Sequence, residues 1–151
     1  MEIWELIARE SIRDLIARYN ANGDSGRYAQ VAELFAADAV YEVEGVTHLG
    51  AAGVFEVMTA AASAMGSEEG APSVVRHLTS TTQIDVTDET HASARSYYLV
   101  VLPNGPDHWG RYLDTYCTID GRWRFASRKV TLDGMVEGGW AALRNGGHEV
   151  P

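Results

Sequence analysis

The sequence predicts a single α+β domain shaped as a cone, an α+β barrel in which a curved antiparallel sheet wraps around N-terminal helices and leaves an internal pocket. Helical periodicity is confined to the first half of the chain, long β-type segments fill the second half, and turn signals separate those segments. Helices that precede strands are typical of α+β domains, where they cover one face of the sheet. The length of 151 residues suits one domain that is large enough to enclose a cavity.

Two helices joined by a short polar connection are predicted first. In Ile3–Tyr19 the apolar residues recur at three- and four-residue spacing, which marks the buried face of an amphipathic helix. Residues 22–26 are turn formers that should end this helix. Asp24 or Ser25 could then cap a second helix over Arg27–Phe35.

A strand and a third helix follow. Residues Ala39–Glu44 alternate between two faces, as a half-buried strand does. The segment Ala51–Met65 is rich in alanine and methionine and predicts a closely packed helix. Gly66–Pro72 should break that helix in a loop.

Long strands rich in Val, Thr, Tyr and Trp are predicted in the second half. They are Val74–Val86, His91–Leu102, Trp109–Thr118 and Trp123–Leu132. Their connections are turn-like, and Asp120–Gly121 is a strong hairpin signal. We assign residues 1–136 to the cone domain and residues 137–151 to a Gly-rich tail that should be partly ordered at most.

Composition argues against several classes of function. The formal net charge of −9 disfavours nucleic-acid binding, because acidic surfaces repel phosphate backbones. The N-terminus lacks the pattern of a secretory signal and no apolar run is long enough to cross a bilayer. We therefore expect a cytoplasmic protein with neither a nucleic-acid partner nor a membrane partner.

Motifs for cofactors and metals are equally missing. The five histidines do not follow a metal-ligand spacing. Phosphate-binding loops, dinucleotide glycine patterns and the nucleophile elbow of serine hydrolases are absent. We expect a protein without a cofactor or a metal ion.

His77 and Asp24 are the first candidates for acid–base chemistry. An imidazole changes charge near physiological pH, so a pocket histidine suits proton transfer. A carboxylate that accepts the Nδ1 proton would fix the tautomer and stabilise the imidazolium. The alternatives are a structural histidine at the start of a strand and a helix-capping aspartate.

Tyr19 and Arg128 are further candidates. Tyr19 ends the apolar face of the first helix, where a core position is the ordinary role, but its phenol could donate a hydrogen bond at the mouth of a cavity. An inward-facing Arg128 would suit an anionic intermediate or leaving group, whereas an outward-facing one would be a common surface arginine.

Aromatic residues should line the pocket and contact the substrate. The candidates are Tyr98, Tyr112, Trp109 and Phe55. Because neighbouring residues of a strand face opposite ways, only one of Tyr97 and Tyr98 can point into the pocket.

Several segments together carry a resemblance to a known family. They are Ile12–Tyr19, Gly23–Asp24, Ala32–Tyr41, Arg76–Thr79 and Asp120–Phe125. The chain resembles, over about residues 2 to 136, the SnoaL-like branch of the nuclear transport factor 2-like superfamily. The resemblance is specific for the fold, and fold alone does not establish function.

The resemblance implies a reaction type and a site. Family members include scytalone dehydratase, hexachlorocyclohexane dehydrochlorinase, bile-acid 7α-dehydratase and polyketide cyclases. Asp24 and His77 match the aspartate–histidine pair of the dehydratases and the dehydrochlorinase, and Tyr19 and Arg128 match a tyrosine and an arginine of the bile-acid enzyme. Scytalone dehydratase has a second histidine, for which His108 is the candidate here.

Three functional hypotheses follow. The first is a cofactor-independent lyase of the dehydratase kind that acts on a small hydrophobic substrate, such as a steroid, terpenoid, polyketide or aromatic compound. The second is an isomerase or cyclase in the same pocket, and the third is a noncatalytic binding protein or small subunit. Sheet edges in such cones are often covered by self-association, so we expect a homodimer or homotrimer.

Overall fold

The computed structural model describes residues 1–66 and 74–146. The elements in chain order are α1 (Ile3–Asp24), α2 (Tyr28–Ala32), β1 (Phe35–Val43), β2 (Val46–Leu49), α3 (Gly50–Ala64), β3 (Arg76–Val86), β4 (His91–Leu102), β5 (Gly105–Ile119), β6 (Arg122–Met135) and α4 (Trp140–Arg144). The predicted loop Gly66–Pro72, apart from Gly66, and the end of the tail lie outside the described residues. None of the described helices is long and apolar enough to span a bilayer.

The strands form one curved sheet in the order β2-β1-β6-β5-β4-β3. β1 pairs antiparallel with β2, and β3 to β6 pair antiparallel in succession, whereas β1 pairs parallel to β6. The predicted α+β class is confirmed, but the sheet is mixed rather than purely antiparallel and it does not close into a barrel. A parallel pair is possible here because β1 and β6 are far apart in sequence, so that no tight hairpin dictates their direction.

The core lies between the helices and the concave face of the sheet. The inward face of α1 contributes Ile12, Leu15, Ile16 and Tyr19, all of which are buried. Phe35 of β1 stacks on Phe125 of β6 with ring centroids 4.8 Å apart. These contacts place the end of α1 over the sheet, where the predicted site residues lie.

The second helix is shorter than predicted. The prediction that it continues to Phe35 is wrong, because Phe35 starts β1 and lies opposite Phe125. The backbone N–H of Phe125 also donates to the carbonyl of Leu34, 2.9 Å away. Pairing with β6 therefore outweighs local helix propensity at these two residues.

Two hairpins have two-residue turns in which both residues have positive φ angles. Asp120 and Gly121 both have positive φ angles of 49° and 71°, which is the geometry of the predicted β5–β6 hairpin. Glu44 and Gly45 have the same geometry, with φ angles of 52° and 76°, and connect β1 to the unpredicted strand β2. The Glu-Gly pair after an alternating strand was the sequence signal for this hairpin.

The tail begins with an ordered element that the sequence analysis did not predict. Helix α4 spans Trp140–Arg144, and its alanines Ala141 and Ala142 are buried. The side chain of Asp107, on β5, accepts hydrogen bonds from the first backbone N–H groups of α4. A short helix in a Gly-rich segment thus depends on a tertiary contact rather than on propensity.

Candidate active site

A cavity of about 600 Å³ lies between the concave face of the sheet and helices α1, α3 and α4. Its wall is predominantly apolar and aromatic. Polar groups on the wall include Tyr19, Tyr41, Glu44, His48, Glu56, His77, Tyr98, His108, Tyr112, Arg144 and Asn145. The volume falls within the range of small-molecule sites.

Asp24 and His77 are in direct contact at this cavity. The Nδ1 atom of His77 lies 2.6 Å from Oδ1 of Asp24, and the backbone N–H of His77 donates to Oδ2 at 2.9 Å. One carboxylate therefore holds both the backbone and the ring of His77. The side chain of His77 is 32% exposed and that of Asp24 is 12% exposed, so the imidazole is the more accessible partner.

The positions of the two residues follow from the ends of their elements. Helix α1 continues through the turn formers and includes Asp24 as its last residue. His77 is the second residue of β3 and shares the face of Val75, which also lines the cavity. The capping alternative for Asp24 is wrong, because α2 begins after Arg27 without a side-chain cap.

This geometry suits proton transfer. When Nδ1 donates its proton to the carboxylate, the lone pair of the neutral imidazole lies on Nε2. The carboxylate also stabilises the positive charge that the ring acquires when Nε2 takes a proton. The Asp24–His77 contact is the arrangement predicted for an oriented base, and its use in catalysis stays a prediction.

Tyr19 lines the same cavity and forms a pair with an unpredicted tyrosine. The hydroxyl oxygens of Tyr19 and Tyr41 are 2.7 Å apart, and both rings face the cavity. Burial raises the pKa of Tyr19, while the nearby Arg128 opposes this rise. Both phenols stay protonated at neutral pH. One hydroxyl donates to the other, which leaves one O–H able to donate to a substrate oxygen.

Arg128 is not on the cavity wall. Its side chain is 0% exposed and forms two 2.8 Å hydrogen bonds to Asp114, which lies opposite it in the β5–β6 register. The rings of Tyr19 and Tyr112 lie at 4.1 and 4.0 Å from the guanidinium carbon and separate it from the cavity. The expectation that Arg128 contacts a leaving group directly is therefore wrong, although it lies directly behind Tyr19.

Two of the four aromatic residues predicted to line the pocket do so. Tyr98 and Tyr112 line the cavity, with stacked rings 4.7 Å apart, while Tyr97 faces outward and is exposed. Trp109 and Phe55 are not on the cavity wall, so their predicted role in binding is wrong.

These two misses have simple geometric causes. Trp109 follows the inward-facing His108 and therefore points to the outer face, where it packs over Gly134. Phe55 lies on the flank of α3, away from the wall residues Val57 and Ala61.

His108 is a second imidazole on the cavity wall. It lies opposite Val100 of β4, and Val100 in turn lies opposite His77 of β3. The two histidines therefore flank Val100 on one face of the sheet, about two strand spacings or 10 Å apart along the backbone. Oδ2 of Asp107 lies 2.7 Å from Nδ1 of His108. The adjacent Asp-His pair in the sequence was the signal for this arrangement.

The surroundings of His108 keep it neutral. Burial lowers the pKa of His108, Asp107 raises it, and His77 and Arg144 lower it further, with a net decrease. A neutral ring whose Nδ1–H donates to Asp107 presents Nε2 as an acceptor. The cavity therefore contains an acceptor suited to a hydroxyl group.

Acidification is expected to destabilise the fold through His108. The unfolded chain takes up a proton on this ring near pH 6.5, whereas the folded chain resists it. The contribution of neutral His108 to the free energy of unfolding is complete above about pH 6.5, the pKa of this ring in the unfolded chain. It is lost as the pH falls through the lower pKa that the ring has in the folded chain. Urea denaturation at pH values above and below this window should show a smaller acid-induced loss of unfolding free energy in His108→Gln than in the wild type. Equal losses of unfolding free energy in the two proteins would contradict a lowered pKa of His108 in the folded chain.

Across residues 1–66 and 74–146, the structure has no cluster of three or more His, Cys, Asp or Glu side chains that could hold a metal ion.

The family model described as a SnoaL-like domain matches residues 4–129 of the chain. The protein belongs to this family. No match was found among curated proteins.

Solved structures share the fold of this SnoaL-like domain. A variant of Rv3472, a protein of unknown function from Mycobacterium tuberculosis, is 29% identical with a TM-score of 0.73, and the match covers 87% of this chain and 75% of that one. A candidate scytalone dehydratase from Novosphingobium aromaticivorans is 22% identical, with a TM-score of 0.74 and coverage of 90% and 91%. A type 3 hexachlorocyclohexane dehydrochlorinase from Novosphingobium barchaimii is 18% identical, with a TM-score of 0.75 and coverage of 90% and 93%. At these identities the latter two likenesses establish the fold of this SnoaL-like domain alone.

Proposed function

We propose that this SnoaL-like protein is a cofactor-independent lyase that eliminates water, or another small leaving group, from a small hydrophobic substrate. The observation that carries the proposal is the 2.6 Å contact between Asp24 and His77, the latter on the wall of a largely apolar cavity. A carboxylate-oriented imidazole with a free Nε2 is a general base. The shared fold of a candidate scytalone dehydratase and a hexachlorocyclohexane dehydrochlorinase is in keeping with the proposal.

The proposed reaction needs only the side chains present. Nε2 of His77 removes a proton from a carbon next to a carbonyl group, and the electron pair moves onto the carbonyl oxygen. Within the hydrogen-bonded Tyr19–Tyr41 pair, Tyr41 donates to Tyr19, and the O–H of Tyr19 donates to that oxygen. The electron pair then returns, a carbon–carbon double bond forms, and hydroxide departs with the imidazolium proton as water. No oxidant, reductant or cofactor is consumed.

Arg128 has a supporting role in this proposal. Its guanidinium lies 4.1 Å from the ring centre of Tyr19 and opposes the burial-induced rise in the pKa of that phenol. A lower pKa makes Tyr19 a better donor to a developing enolate. Arg128 thus acts through Tyr19 rather than on the substrate.

The lining of the cavity supports an apolar substrate. Valines, alanines and methionines supply much of the apolar wall, and Tyr98 and Tyr112 add a stacked aromatic surface. Such a wall favours an alicyclic, steroid, terpenoid, polyketide or aromatic skeleton. The neutral His108 favours a substrate that also carries a hydroxyl group.

Isomerisation or cyclisation in the same cavity is the second candidate. His108 flanks Val100 on the side opposite His77, so a second group lies within reach of a different carbon of one bound molecule. A proton removed by one imidazole could then be returned elsewhere by another group. Product mass separates this outcome from elimination.

Product analysis tests the proposal. The protein is incubated in deuterated water with β-hydroxy ketones that have steroid, alicyclic or aromatic polyketide skeletons, and the products are analysed by mass spectrometry. Loss of one water molecule from at least one probe is the expected result. Deuterium uptake without a change in composition would favour the isomerase or cyclase. Probes that bind but stay unchanged, without uptake, would favour a noncatalytic binding protein or small subunit.

Self-association and a cytoplasmic location stay predictions. The outer face of the sheet carries Leu78, Leu99 and Trp109 in register across three strands, and Leu78 and Trp109 are exposed. An apolar row of this kind supports a dimer or trimer that covers the sheet.

A further inference from the structure

Asp107 makes more contacts than a helix cap or a histidine partner requires. Its side chain is 2% exposed. Oδ1 accepts the backbone N–H of Trp140 at 2.6 Å, and Oδ2 accepts both the backbone N–H of Ala141 at 3.1 Å and Nδ1 of His108 at 2.7 Å. One buried carboxylate therefore holds the first turn of α4 and a cavity-wall imidazole together.

Helix α4 depends on this carboxylate. The residue before it, Gly139, has no side chain that could cap the helix, and a five-residue helix is too short to be stable alone. The Oδ1 atom of Asp107 also occupies the space beside Gly139, where an added Cβ would come within 2.7 Å of it. Docking of α4 in turn places Trp140, Ala141 and Arg144 on the cavity wall.

His108 depends on the same carboxylate. A carboxylate opposite Nδ1 requires the neutral ring to carry its proton there, which leaves Nε2 as the acceptor on the cavity side. The ring of Trp140, 6.1 Å away between centroids, packs beside the imidazole. The tautomer and the orientation of His108 are thus set by the group that docks α4.

We propose that Asp107 is a positioning residue that couples the docking of α4 over the cavity to the tautomer and orientation of His108. The inference rests on the shared contacts and not on the proposed lyase activity. It predicts that a change confined to α4 alters the ring on β5, because both compete for one set of carboxylate lone pairs.

The sign of this coupling follows from the groups that face His108. They are Asp107 on its own strand, His77 on β3 and Arg144 on α4. Removing an α4 N–H donor leaves more of the carboxylate charge to stabilise the imidazolium. Loosening α4 also exposes the ring to water and moves Arg144 away, and all three effects raise the pKa of His108.

The test uses the full chain labelled with ¹⁵N and ¹³C at histidine, with resonances of His108 assigned by their loss in His108→Gln. In the wild type, the ¹⁵N shifts of the neutral ring should place the proton on Nδ1. A neutral ring with its proton on Nε2 would overturn the proposal.

The variant Ala141→Pro removes one donor to Asp107 in the first turn of α4, where no N–H bond within the helix is lost. We expect the pKa of His108 to rise by about half a unit or more, a roughly threefold change in its protonation constant. Ala141→Gly keeps the N–H and is the matched control, with a smaller shift. Amide exchange of Leu143, whose N–H bonds to Gly139, reports whether α4 has undocked. An unchanged His108 titration in Ala141→Pro would overturn the coupling whether α4 stays docked or not.

Discussion

Replacing His77 with alanine is expected to lower turnover about a hundred- to ten-thousand-fold, the usual contribution of a general base. The reason is geometric. Nδ1 of His77 contacts Asp24, so Nε2 is the ring nitrogen left to take a proton, and a methyl group cannot accept one. Binding of an apolar probe should change little, because the tyrosine and aliphatic walls remain. The measurement is turnover of the most active β-hydroxy ketone probe, together with its dissociation constant in both proteins.

The chain offers a matched control for this variant. His91, the first residue of β4, and Asp88, in the connection before it, form a similar but exposed pair, with Nδ1 and Oδ1 3.2 Å apart. His91→Ala removes the same side chain outside the cavity and should leave turnover unchanged. The turnover of Asp24→Asn should lie between those of His77→Ala and His91→Ala, since the amide keeps the shape of the carboxylate but does not stabilise the imidazolium. Full turnover in His77→Ala would rule out His77 as the base.

Breaking the Arg128–Asp114 pair is expected to reduce the free energy of unfolding by about 3–5 kcal/mol. Both side chains are 0% exposed, so Asp114→Asn leaves a buried guanidinium without its counter-charge. The Nη1 atom of Arg128 already lacks a hydrogen-bond partner among the described residues, and the hydroxyl of Tyr116 would lose its ionised acceptor. Urea denaturation measures the change.

The same two strands carry a control pair. Arg111 and Asp133 also bridge β5 and β6, but their side chains are 41% and 32% exposed. Asp133→Asn should cost less than about 1 kcal/mol, because water screens an exposed pair. Tyr116→Phe, which keeps the ion pair and removes one hydrogen bond, should cost about 1 kcal/mol. Similar costs for Asp114→Asn and Asp133→Asn would contradict the assigned role of burial.

The architecture was largely predictable from periodicity and turn chemistry. Strand β4 spans His91–Leu102 as predicted, and α3 differs from its prediction by one residue at each end. Both segments have patterns that are set by local burial on one face. The start of β1 at Phe35 was not predictable in this way, because it depends on pairing with β6, which is some ninety residues later in the chain.

The site was predictable only in part. Resemblance and residue chemistry pointed to Asp24, His77 and Tyr19, and all three lie on or beside the cavity. Trp109 was misplaced because its side-chain direction depends on which face of β5 it shares, whereas Arg128 faces inward but is covered by the rings of Tyr19 and Tyr112. A one-residue difference in register turns a side chain to the opposite face of a sheet.

Residue order and chemistry specified that this chain forms helices before strands, where its main hairpin turns, and which groups can exchange protons. Three-dimensional packing specified which of those groups meet. It brought Asp24 to His77, paired Tyr19 with Tyr41, withdrew Arg128 behind two rings and joined α4 to His108 through Asp107. The physical reason is that such contacts join residues far apart in the chain, and their partners are selected by sheet register and burial, which no local pattern encodes.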